Sequence, residues 1–109
     1  MALKPSYNDK LYLPDLSNTE ILILALEASQ KLEWNIEQVT LEEIRFEVPF
    51  NMYSRGEAIT FTIEKGSDGK VSVRSQSSSV QFVDYGKNRK NIQKLRETME
   101  EIKASLTPE

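Results

Sequence analysis

A helix, four short alternating segments and a second helix follow one another along the 109 residues. This order predicts a two-layer α+β domain: a four-stranded antiparallel meander with both helices on one face, order α-β-β-β-β-α. Three observations carry that expectation. Apolar residues recur at helical spacing over 18–33 behind a capping box, the period shifts to two from Trp34 and holds to Arg74, and a second helical stripe runs from Ile92 to Leu106. The length suits one compact core, so a single domain over 17–107 is expected, preceded by an amino-terminal arm over 1–16.

The arm holds Pro5 and Pro14 with Tyr7, Leu11, Tyr12 and Leu13 between them, which suits an extended, docked segment better than a helix. Ser17 and Glu20 have the spacing of a capping box. In the helix behind them, Ile21, Leu24, Ala25, Ala28 and Leu32 share one face, widened by Leu22 and Leu26. Trp34 and Ile36 open a first strand whose phase Val39 breaks, and Ile44, Phe46, Val48 and Phe50 alternate cleanly in a second. Beyond the turn-like 51–56, Ile59, Phe61 and Ile63 form the inward row of a third strand. Gly66-Ser67-Asp68-Gly69 supplies the residues that a hairpin's positive φ angles need, and Val71 and Val73 continue inward. Ser75 to Ser79 reads as a fraying loop. The last helix carries Ile92, Leu95, Met99, Ile102 and Leu106 on a narrow stripe, with Pro108 ending it. Trp34 is expected beneath the end of the first helix, where an aromatic ring supplies much of a small core's buried area.

Composition excludes whole classes of chemistry. With no His and no Cys there is no imidazole base, thiol nucleophile, serine triad, thiolate or imidazole zinc site, or disulfide. Paired carboxylates are the remaining route to catalysis, and the candidates are poor. Glu42 and Glu43 are adjacent, while Glu47 and Glu64 would lie on the wet face beside Arg45 and Arg74. A non-enzyme without cofactor or metal is expected. The longest apolar run, Ile21 to Leu26, is far short of the roughly 20 residues of a bilayer span. Met1-Ala2-Leu3-Lys4-Pro5 lacks the apolar core of a secretory signal, which makes the chain cytoplasmic unless a leader has been trimmed.

The one constellation with functional character is basic. Lys87, Arg89, Lys90 and Lys94 gather at the start of the last helix, together with Asn88 and the upstream Asp84. Each exposed cation there opposes the helix dipole at a cost of about 0.3–1 kcal/mol. Glu97, Glu100 and Glu101 crowd the other half, so the helix carries its charges in reverse. Free amides and basic side chains at a helix start suit an anion, either a phosphorylated ligand or an acidic protein. A solvated face balanced by Asp84 is the plainer alternative. Nucleic acid is disfavoured, because the net charge is −3 and the sequence pI about 5.1, whereas such domains run above about 9.

Leu32-Glu33-Trp34-Asn35-Ile36, Val71-Ser72-Val73-Arg74-Ser75 and above all 81–92, Gln-Phe-Val-Asp-Tyr-Gly-Lys-Asn-Arg-Lys-Asn-Ile, resemble a small uncharacterised bacterial domain family. That family occurs alone or appended to membrane proteins, rhomboid-type intramembrane proteases among them. The resemblance covers about 20–103 and departs at Tyr85, where the family's usual residue is Trp. It implies an accessory domain with no established activity, supplies no catalytic residues, and draws Asp84, Lys87, Asn88 and Lys90 together as a group. The sequence thus points to an accessory or binding domain that meets an anionic group at the start of the last helix. Two alternatives stand beside it: an apolar-ligand or lipid module, and a homodimer assembled through the wide face of the first helix and the arm.

Overall fold

The computed structural model describes residues 6–49, 56–66, 69–77 and 86–106. Its elements are β1 (Ser6–Tyr12), α1 (Asn18–Lys31), β2 (Asn35–Val39), β3 (Glu43–Val48), β4 (Glu57–Ile63), β5 (Lys70–Ser77) and α2 (Lys87–Leu106). The α+β architecture and the antiparallel pairing follow the sequence. The strand count does not: five strands form one sheet in the order β1-β5-β4-β3-β2. The segment expected as an arm is an edge strand, with Tyr7 opposite Ser75, Asp9 opposite Val73 and Leu11 opposite Val71.

Directly opposed residues of antiparallel strands share a face, so the register defines two rows. The covered row holds Ile44 and Phe46 of β3, Ile59, Phe61 and Ile63 of β4, and Val71 and Val73 of β5, all buried. The other row, including Thr60, Thr62, Ser72 and Arg74, stays wet. There Lys10 bridges Glu64 at 3.0 Å, Arg45 bridges Glu43 at 3.3 Å, and Glu47 accepts from the Asn35 amide at 3.1 Å. The expected pairing of Glu47 and Glu64 with Arg45 and Arg74 is therefore replaced by nearer partners on the same face.

α1 starts as anticipated: Ser17 Oγ accepts from the Glu20 amide at 3.1 Å and Glu20 Oε1 accepts from the Ser17 amide at 2.9 Å. The Ser17 amide, followed by its side chain, holds the Glu20 carboxyl below its ordinary value. Ile21, Leu22, Leu24, Ala25 and Ala28 face the core. The chain leaves α1 through Glu33 at φ +61° and turns Trp34 under the helix, its amide donating to the Ser29 carbonyl at 2.9 Å. The indole is buried and meets Phe46 at a centroid distance of 6.0 Å and a tilt of 55°, within the range of favourable aromatic pairs. α2 lies on β5 and β1, and α1 runs beside α2 toward β2. From α2, Ile92, Leu95, Met99 and Ile102 enter the core, while Leu106, expected on the same stripe, is exposed.

Besides the Lys10–Glu64 bridge, two tertiary links fasten β1 to the β4–β5 hairpin and to α2. The Leu13 amide donates to the Gly69 carbonyl at 2.7 Å, and Arg96 of α2 pairs with Asp9 at 2.6 Å. The Lys10 amide and then Arg96, with Arg89 nearby, hold the Asp9 carboxyl below its ordinary value. A carboxyl depressed in the folded state contributes stability above its unfolded pKa and loses it as pH falls through the folded one. Asp9→Asn is therefore expected to cost about 0.5 kcal/mol near neutrality. The difference should close below about pH 4, as urea denaturation at several pH values would show.

The hairpin glycines separate conformational from steric demand. Gly66 (φ +70°) has open space around a would-be Cβ, whereas at Gly69 (φ +82°) that atom would strike the Leu13 carbonyl. Gly66→Ala should cost about 1–2 kcal/mol, and Gly69→Ala distinctly more, with β1 amides losing hydrogen-exchange protection first.

Candidate functional site

The start of α2 has two sides with different chemistry. Continuing the buried stripe of Ile92, Leu95, Met99 and Ile102 backward by helical steps lands on Asn91 and Asn88, both buried. Opposite them, β4 and β5 carry polar residues at inward positions of the same end of the sheet. Glu57 faces Ser77 and Ile59 faces Ser75 across the ladder, and Glu57, Ser75 and Ser77 are buried.

These groups form one network. Ser75 Oγ donates to Asn88 Oδ1 at 2.7 Å, Asn88 Nδ2 donates to Ser77 Oγ at 3.1 Å, and Asn91 Nδ2 donates to Glu57 Oε1 at 2.9 Å and to Ser75 Oγ at 3.2 Å. Ser75 thus acts as donor to one asparagine and acceptor from the other, which uses both capacities of its hydroxyl. Glu57 is the sole buried carboxylate among the described residues. The expectation that 75–79 frays is corrected for Ser75 and Ser77, which extend β5 and dock α2.

The sequence-derived group is divided by this geometry. Asn88, at 0% exposure, is committed to the interior. Arg89, Lys90 and Lys94 are exposed and Lys87 is half-buried. Asp84 lies outside the described residues, as do Phe50, Met52, Tyr53, Asp68, Phe82, Val83 and Tyr85. The helix opens on Gly86 (φ +75°), whose carbonyl accepts the Lys90 amide at 2.9 Å, and its first turn holds no acidic residue. Among the described residues none of Lys87, Arg89, Lys90 and Lys94 makes a salt bridge; the pairs formed are Lys10–Glu64, Arg45–Glu43, Arg96–Asp9 and Lys103–Asp15. Lys90 and Lys94 stand at i and i+4, where like charges destabilise a helix by about 0.2–0.5 kcal/mol.

The family model for a protein of unknown function, DUF1499, matches residues 9–99. The chain belongs to the DUF1499 family. The match begins inside β1 and ends in α2, so it takes in the edge strand together with the meander, and it contains every member of the buried network. No curated protein matches the chain. The resemblance to an uncharacterised domain family seen in 81–92 is thereby shown, and the DUF1499 domain here has, among its described residues, no helix long and apolar enough to cross a membrane.

Glu57, Ser75 and Ser77 were not singled out by sequence reasoning, and Asn91 entered only as the last residue of the basic segment, with no role of its own. The signal lay in phase: each inward row, prolonged toward one end of the sheet, runs into polar residues. Asn88→Ala in this DUF1499 domain removes a donor and an acceptor from a closed site. It is expected to cost about 2–4 kcal/mol, against about 1 for Ser77→Ala. Ser75→Ala and Asn88→Ala should be non-additive in a double-mutant cycle measured by denaturant unfolding.

Proposed function

We propose that this DUF1499 domain is a non-enzymatic accessory module that holds an anionic group or an acidic partner on the exposed basic turns of α2. One observation carries the reading: Arg89, Lys90 and Lys94 stand exposed, without salt bridges among the described residues, on a helix start that Asn88 and Asn91 pin from beneath. The pin fixes the backbone under the cations, so a partner pays little to order it. Their placement against the helix dipole, and of Lys90 above Lys94, lowers stability; Asp9 lies near Arg89 but is already paired with Arg96, and no ion pair offsets Lys90 or Lys94 among the described residues.

An apolar ligand is the second reading, favoured by a groove of about 420 Å³ between α1 and the end of α2, whose floor of Leu16, Ile23, Leu24 and Leu106 is rimmed by the charged Asp15, Glu20, Glu27 and Lys103. It lies at the opposite end of α2 from the basic turns, so the two readings are separable. A fatty acid that raises Tm in wild type but not in Ile23→Lys would favour it.

For the leading reading, Lys90→Glu should raise fold stability by about 0.5–1 kcal/mol while weakening attachment to an immobilised acidic peptide or to phosphate-bearing beads. Wild-type attachment should fall steeply with salt. Attachment that is indifferent to salt and survives Lys90→Glu/Lys94→Glu would overturn the reading.

A further inference from the structure

The two edges of the sheet are finished differently. β1 turns a charge inward, Asp9, and spends it on Arg96 of α2, one of the devices by which an edge is kept from pairing with another chain. β2 has no such device on its covered-side row and no buried residue at all. Ile36 and Val39 lie in the row that α1 and α2 cover elsewhere, opposite Phe46 and Ile44, yet they are 43% and 49% exposed. Leu41, which follows, is 84% exposed, the highest value among the large apolar residues described. The extra residue at Glu37 shifts the register between Ile36 and Gln38 and so brings both apolar side chains to one side. The Thr40 amide is turned inward to the Glu43 carbonyl at 2.8 Å, and strand alternation therefore turns the Val39 amide and carbonyl to the open edge.

We infer that β2 is the seam of a homodimer, pairing antiparallel with β2 of a second copy about a two-fold axis between Glu37 and Gln38. The sequence is self-complementary in that register. Ile36 meets Val39 of the second copy, Leu41 meets Trp34, Asn35 meets Thr40, and Glu37 meets Gln38 rather than another Glu37. An axis perpendicular to the sheet keeps the helices of both copies on one side, so the uncovered apolar strip of each copy is covered by the other. This seam is distinct from the wide face of α1 and the amino-terminal segment anticipated from the sequence, and it is independent of the basic turns of α2.

Sedimentation equilibrium of the whole chain, up to about 100 μM, tests the seam. Wild type is expected to dimerise. Gln38→Glu, which sets two like-charge pairs across the axis, should weaken the dimer about tenfold. Glu37→Lys/Gln38→Glu, which makes both pairs attractive, should restore or tighten it, and Val39→Lys should leave a folded monomer by circular dichroism. In the wild-type dimer the Val39 amide gains hydrogen-exchange protection with concentration. A wild-type monomer across that range, or a dimer indifferent to Val39→Lys and to the charge cycle, would overturn the inference.

Discussion

The docking of α2 is the constraint on which the rest of the structure depends. α2 touches β5, β1 and α1, and two kinds of contact set its position. Apolar contacts from Ile92, Leu95, Met99 and Ile102 supply most of the free energy but little register, since one aliphatic side chain replaces another at modest cost. The amides of Asn88 and Asn91 supply the register. A slide of one turn toward the other end of the sheet would press Asn88 against Val73 or Val71 and strip Ser75 and Ser77 of their partners, each loss costing about 1–3 kcal/mol. Buried polar groups matched only in one arrangement make that arrangement unique. Arg96 repeats the logic farther along, because its guanidinium meets Asp9 only when the helix stands at the height that the asparagines set.

The same two turns explain why the cations face out. A helix has one buried side, and at the start of α2 the amides occupy it, so Arg89, Lys90 and Lys94 are left on the wet side whatever their use. Asp9 lies near Arg89 but is paired with Arg96, and the carboxylates of α2 itself sit elsewhere. Glu97, Glu100 and Glu101 sit in the second half of the helix, where carboxylates oppose the negative dipole end as the cations oppose the positive one. Stability alone would favour the reverse order. A rigid backbone beneath an electrostatically costly surface is the combination on which the proposed anion-binding reading rests, because rigidity limits the entropy lost on contact.

Much of this was legible in the sequence where a local pattern carries the whole cause. The capping box of Ser17 and Glu20, the alternations of β3 to β5 and the stripe of α2 each depend on neighbours in sequence, and each formed as anticipated, save that Leu106 at the end of the stripe is exposed and β5 runs on through Ser75 and Ser77. β1 was illegible as a strand because its inward row reads Tyr7, Asp9, Leu11, and an aspartate in that row is explained only by Arg96, 87 residues away. Ser75 and Ser77 looked like the onset of a loop for the same reason: their burial depends on amides from a helix that starts ten residues later. The basic group could be read by composition. That Asn88 within it turns inward could not be read from charge, only from the phase of Ile92 and Leu95 carried back one turn.

Pinning α2 over β5 and β1 has a consequence at the opposite edge. Helices pack about 8–10 Å apart, whereas neighbouring strands are about 4.8 Å apart, so a pair of helices roofs about four strands. With one helix fixed over the β1 side, the second reaches β2 only at its margin, and Ile36, Val39 and Leu41 are left beyond the roof. At the β1 edge the chain places an inward charge and an arginine to meet it. At the β2 edge it places three aliphatic side chains and re-phases the strand by one residue to align the first two. A sheet one strand wider than its roof can bury that last row only by borrowing surface from outside the chain, and the offset that creates the need is set by two asparagines at the far end of the same sheet.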